Sequence, residues 1–162
     1  MKWSDKGDDE VSAERVRTYL MEHGVSYQTH THPAAYTTSE VAEAGHVSGE
    51  EMAKVVMLMA DDRLVMAVIP GDKMVDLENA GEALGTENVR LAEEDEFASS
   101  FPDCESGAEP PFGTLYDIPT LVDEGLDSPR ITFNAGTHTE TITMLLADYL
   151  ELTKPKRSDL GR

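Results

Sequence analysis

The spacing of apolar and polar positions divides most of this chain into short elements. The apolar run Val55-Val56-Met57-Leu58-Met59 is too short for a buried helix and reads as a buried strand. Leu64 to Ile69 repeats the pattern after the polar Asp61-Asp62-Arg63, so Lys54–Ala60 and Leu64–Ile69 are predicted to form an antiparallel hairpin. Val11, Val16, Tyr19 and Leu20 fall at helical spacing, which predicts a helix from Val11 to His23, N-capped by Ser12 and stopped by Gly24. Val25 to His30 alternates like a half-buried strand that ends at His32-Pro33. Thr38-Ser39 reads as the cap of a short helix, Glu40 to Ala44, and Asp76 opens another that runs to Leu84 before Gly85. Val89–Leu91 is a short strand, and Glu93 to Ser99 a helix whose acidic first turn suits the helix dipole. Further strands are expected at Thr114–Tyr116, Thr120–Asp123, Arg130–Asn134 and Thr141–Leu145, with a closing helix over Ala147–Leu152. Short strands interleaved with short helices predict a mixed α/β (α+β) fold: a curved, barrel-like sheet surrounded by short helices.

A length of 162 residues fits one domain, placed at residues 10–153 between a disordered N-terminus (1–9) and a basic, flexible tail (154–162). Thirty-two acidic residues against 13 basic ones give a net charge of −19. Such a surface runs against nucleic-acid binding, which normally uses a basic footprint. Two readings stay open: a protein that never meets nucleic acid, or an acidic surface adapted to a salty cytoplasm that keeps a local basic patch. No apolar run approaches the roughly 18 residues needed to span a bilayer, and the polar N-terminus has no signal-peptide core. The single cysteine, Cys104, excludes an internal disulfide and a cysteine-based zinc site, so the expected setting is the cytoplasm.

There is no phosphate-binding P-loop, dinucleotide fingerprint, zinc motif or nucleophile elbow. Neither a metal nor a cofactor is expected, and any chemistry rests on positioning and electrostatics. Lys54 opens the first buried strand, where its ammonium needs a partner. A structural carboxylate or solvent would make it an ordinary strand-edge lysine, whereas a phosphate would make it an anion clamp. Gly107-Ala108-Glu109-Pro110-Pro111-Phe112-Gly113 is a stiff loop of low bulk: either a plain turn, or a backbone able to approach a ligand closely. Asn134-Ala135-Gly136-Thr137-His138 reads as a hairpin turn that also sets Asn134 and His138 on one rim. His32 is either packed and hydrogen-bonded at a strand end or catalytic. Cys104 reads as a loop thiol.

Three blocks, in this order and spacing, resemble the YbaK/prolyl-tRNA synthetase-associated domain family. They are Ala53-Lys54-Val55-Val56 with Val68 to Lys73 and Asp76-Leu77, then the G-x-x-x-P loop Gly107 to Pro111 followed by Phe112-Gly113, then Phe133 to His138 followed by Thr141. The resemblance runs from about Val11 to Leu152. It implies a trans-editing deacylase that hydrolyses the ester of a mischarged aminoacyl-tRNA, held by its 3′ acceptor end, with branches acting on alanyl-, cysteinyl-, seryl- or threonyl-type substrates. Lys54 is then the key catalytic lysine. The substrate-binding set is Gly107, Ala108, Pro111, Phe112, Gly113, Asn134, Gly136, His138 and His32, with loop N–H groups on the ester carbonyl. Two positions depart from an alanine-specific branch: Val55 stands where that branch has Asn, and Asn134 where it has His. The alternative function is a non-catalytic module that binds aminoacyl-tRNA or an aminoacyl-adenylate-like molecule, as a monomer or a dimer.

Overall fold

A computed structural model describes residues 7–33 and 51–162. Helix α1 (Gly7–Glu22) leads into strand β1 (Tyr27–Thr31). Strands β2 (Ala53–Ala60) and β3 (Arg63–Pro70) form the expected hairpin, in register from Ala53 opposite Pro70 to Ala60 opposite Arg63. Its two-residue turn needs positive φ at both positions, and Asp61 and Asp62 supply 50° and 66°. Helix α2 (Leu77–Leu84) is capped by the Asp76 carboxylate, which accepts the Asn79 N–H at 3.1 Å, and it ends at Gly85 with φ 75°. Strand β4 (Val89–Leu91), helix α3 (Glu94–Phe97), strands β5 (Thr120–Asp123), β6 (Arg130–Asn134) and β7 (Glu140–Leu145), helix α4 (Leu146–Thr153) and strand β8 (Lys156–Ser158) complete the order.

The strands make two sheets. One is antiparallel, in the order β1-β7-β6. The other is mixed, in the order β4-β2-β3-β5-β8, with β5 parallel to both β3 and β8. Among the described residues the sheets join at one bridge, Met52 with Thr132, where β2 and β6 run parallel. The main core lies between the sheets and α1: Val16, Leu20, Met57, Met66, Phe112, Phe133, Ile142 and Tyr149 all meet there. A second cluster, with Leu58, Ala67, Ile69, Ala80, Leu121 and Leu160, fills the other face of the mixed sheet beneath α2. The fold is mixed α/β as expected, built as two bridged sheets.

Several elements differ from the sequence reading. Residues 7–9 begin α1. Ser12 therefore lies inside the helix and does not cap it. Thr114–Tyr116 is not a strand: Gly113–Leu115 is a single 3₁₀ turn. A Cβ on Gly113 would lie 2.0 Å from Thr120 Oγ1 and 2.3 Å from the Ile118 carbonyl, so the chain must turn there around a glycine. The basic tail is ordered. Strand β8 pairs with β5, Leu160 is fully buried, and the Asp123 carboxylate accepts the N–H groups of Leu160 (2.7 Å) and Gly161 (3.2 Å). The helix expected at Glu40–Ala44 lies outside the described residues.

Candidate functional site

Lys54 is half-buried near the start of β2. Its neighbours Ala53, Val55 and Met57 point into the main core, so strand alternation turns Lys54 to the opposite face. On β6, Ile131 and Phe133 point into the same core, which turns Thr132 and Asn134 to that opposite face as well. Lys54 stands two residues beyond Met52, and Asn134 two beyond Thr132. Past this bridge β2 continues with β3 and β4, whereas β6 stays with β7. The two strands therefore part as a fork with Lys54 on one prong and Asn134 on the other. Among the described residues no carboxylate pairs with Lys54.

The second part of the site is clamped to the β6–β7 turn. Glu105 N–H donates to the Gly136 carbonyl at 2.8 Å, and the Glu105 carboxylate accepts the His138 N–H at 2.6 Å. His138 Nε2 lies 2.8 Å from the Ser106 carbonyl. Gly107 (φ 88°) and Gly136 (φ 98°) supply the left-handed backbone that this close packing requires. His32 reaches the same rim: its N–H donates to the Thr139 carbonyl at 2.8 Å, and its Nδ1 lies 2.8 Å from the Pro33 carbonyl. Gly107, Asn134, Gly136, His138 and His32 therefore share one end of the antiparallel sheet. Among the described residues, the buried His32 Nε2 and Asn134 Oδ1 at this end have no hydrogen-bond partner.

Other residues of the expected set do different work. Phe112 is fully buried and packs edge-on against Tyr19, Phe133 and Tyr149, with centroids 5.3–5.8 Å apart. It is a core residue. Pro111 is buried, and its carbonyl accepts the Tyr149 hydroxyl at 2.6 Å. Gly113 makes the turn described above. Ala108 is fully enclosed, so Gly107 is the accessible part of this loop together with Ser106. The loop amides are also less available than the sequence implied. Gly107 N–H donates to Glu109 Oε2 at 3.2 Å and Ala108 N–H to the Glu105 carbonyl at 3.0 Å. Cys104 is 3.3 Å from the Tyr116 hydroxyl, and burial pushes its thiol up to about 12, so it is no thiolate at neutral pH.

Glu109 was not singled out from sequence, although it lies two residues from Gly107, as Glu105 does on the other side. Glu109 is 7% exposed, and burial, the largest influence on its carboxyl, raises the pKa above the ordinary carboxylate value. A raised folded-state pKa means that the native state favours the protonated form. The contribution of Glu109 to stability is complete below the ordinary value and is lost as pH rises through the raised one. Glu109→Gln is therefore expected to melt at a higher temperature than wild type at neutral pH, with the gap closing on acidification. Thermal melts from about pH 4 to about pH 8 check this. A constant gap, or a less stable variant at neutral pH, would contradict it.

Comparisons with known proteins agree on the family. The model of the aminoacyl-tRNA editing domain matches residues 32–152. A proline–tRNA ligase of Acidithiobacillus ferrooxidans is 32% identical over 113 residues, which cover 70% of this chain but only 17% of the ligase. An Escherichia coli protein, the multifunctional Ser/Thr-tRNA deacylase ProXp-y, is 25% identical over 158 residues, covering 94% of each chain. The solved structure of a candidate trans-editing enzyme for prolyl tRNA synthetase superposes with a TM-score of 0.82 at 24% identity, covering 93% of this chain and 97% of that one. The match over residues 32–152, three quarters of the chain, shows that this chain belongs to the aminoacyl-tRNA editing domain family.

Proposed function

We propose that the protein is an aminoacyl-tRNA deacylase that acts in trans, in the cytoplasm, on the esterified 3′ end of a mischarged tRNA. The observation that carries this reading is Lys54, a half-buried cation without a carboxylate partner among the described residues, two residues beyond the Met52–Thr132 bridge as Asn134 is on the other strand. An aminoacyl ester is intrinsically reactive, so its hydrolysis asks mainly for orientation and for offset of the negative charge that develops on the carbonyl oxygen. Lys54 supplies that positive charge. It carries the larger share because Gly107 N–H is already held by Glu109. Asn134 and His32 offer their unpartnered polar atoms to the aminoacyl-adenosine. Gly107 and Gly136 let backbone approach it, while His138 holds the loop in place. Pro111, Phe112 and Gly113 support the loop from behind. Water attacks the ester, assisted by a neighbouring ribose hydroxyl of the substrate, so no protein nucleophile is needed. Pocket size selects the amino acid, at about 1–3 kcal/mol per methylene.

A net charge of −19 favours a second reading, a module that binds the charged end without hydrolysing it. Amino-acid release from seryl-, threonyl-, alanyl- and cysteinyl-tRNA at substoichiometric protein separates the two. Multiple turnovers on at least one substrate support the deacylase; release no faster than in buffer leaves the binding module.

A further inference from the structure

A chain with 32 acidic and 13 basic residues must meet RNA phosphates with particular cations. Most of the described ones are engaged within the fold. Arg15 pairs with Asp103, Arg17 with Glu140, Arg90 with Glu96 and Arg130 with Glu51. Lys156 donates to the Ala83 carbonyl, and Arg157 to the carbonyls of Asp123 and Leu126. Lys54, Arg63, Lys73, Lys154 and Arg162 remain outside such pairs. Arg63 lies at the far turn of the β2–β3 hairpin, opposite Ala60 and roughly 20 Å along the strand from Lys54. Lys154 follows α4.

The other three gather. Lys54 is opposite Ile69, and Lys73 follows the end of that strand, its N–H donating to the Pro70 carbonyl at 3.1 Å. Met74 and Arg162 exchange two backbone hydrogen bonds (3.1 and 2.8 Å), and Val75 bridges to Gly161. A Cβ on Gly161 would lie 3.2 Å from Lys73 Cβ and Cδ, so the Lys73 stem runs along residue 161. Leu160, next in line, is buried in the second cluster together with Ile69, on the sheet face that Lys54 shares. Asp123 fixes this segment through the N–H groups of Leu160 and Gly161. Lys73 and Arg162 are thus exposed cations on an ordered support, at the same sheet end and on the same face as the fork.

We propose that Lys73 and Arg162 form, beside Lys54, the surface that holds the backbone phosphates of the single-stranded RNA 3′ end. Its identification with RNA rests on the deacylase reading. The exposed Asp72 and Asp159 flank the pair, so the patch is too small for a duplex and matches a few consecutive phosphates. It leaves the rest of the acidic surface free of RNA.

The test is equilibrium binding of an acceptor minihelix with a single-stranded CCA end, followed by fluorescence anisotropy over a KCl series. Each phosphate contact contributes a slope of about −0.7 to −0.9 in log affinity against log salt. Wild type is expected to show a slope of about −2, and the double variant Lys73→Ala/Arg162→Ala a slope shallower by about 1.5, with affinity roughly tenfold weaker at low salt. Lys73→Arg keeps the slope, and Arg63→Ala leaves it unchanged. An unaltered slope in the double variant, an equal loss in Arg63→Ala, or no salt-dependent binding by wild type overturns the proposal. Hydrolysis of an aminoacyl ester of adenosine, which lacks these phosphates, is scored separately. Hydrolysis with an unaltered RNA slope removes the patch alone. A lost slope without hydrolysis supports the patch while removing the deacylase.

Discussion

Lys54→Ala is expected to lower the turnover of deacylation by roughly 10²–10³-fold, the scale of removing one preorganised charge stabiliser from an oxyanion. The expectation follows from what surrounds the residue. Gly107 and Ala108 N–H groups are already bound to Glu109 and to the Glu105 carbonyl. Cys104 is a protonated thiol. No described carboxylate holds Lys54, so its removal orphans no buried partner, and the melting temperature should stay near that of wild type. Lys54→Arg keeps the charge but replaces a compact ammonium by a planar fork, so partial activity is expected. Single-turnover deacylation alongside thermal melts provides both readouts. An alanine variant that turns over like wild type removes Lys54 from the mechanism.

Phe112→Ala should have the largest effect on stability. Deleting a fully enclosed phenylalanine costs about 3–5 kcal/mol, and this ring also makes edge-on contacts with Tyr19, Phe133 and Tyr149. At about 2–4 °C per kcal/mol for a chain of this size, the melting temperature falls on the order of 10 °C. The same variant separates two roles. A core residue loses stability, whereas a substrate contact would raise KM in a protein that melts normally. Tyr149→Phe is a milder companion: it strands the buried Pro111 carbonyl at a cost of about 1–3 kcal/mol. A Phe112→Ala protein that melts with wild type but binds substrate poorly would return Phe112 to the site.

Much of the fold was legible because local and global signals coincide. The β2–β3 hairpin follows from two apolar runs around an Asp-Asp turn, and α2 from its Asp76 cap and Gly85 stop. The failures share a cause. Nothing local marks Gly113 as the one residue small enough to pass Thr120 and Ile118, so a β-like sequence became a 3₁₀ turn. Nothing local reveals that Asp123, far along the chain, secures Leu160 and orders a basic tail. The family was readable by motif, from the blocks around Lys54, the glycine loop and Phe133 to His138. Gly107 and Phe112 belong to one loop, yet Gly107 is exposed while Phe112 enters the core, a difference that no local signal marks. Glu109 escaped notice because an acid in an acidic chain carries no contrast until its burial is seen.

The account turns on where the aminoacyl end lies, and a crystal structure with a non-hydrolysable 3′-aminoacylamido-adenosine tests that most directly. The expected density fills the fork, with the ligand carbonyl beside Lys54 Nζ and polar groups meeting Asn134 Oδ1 and His32 Nε2. Density in the groove along α2 beside Leu77 and Gly81, with the fork left unchanged, would contradict it.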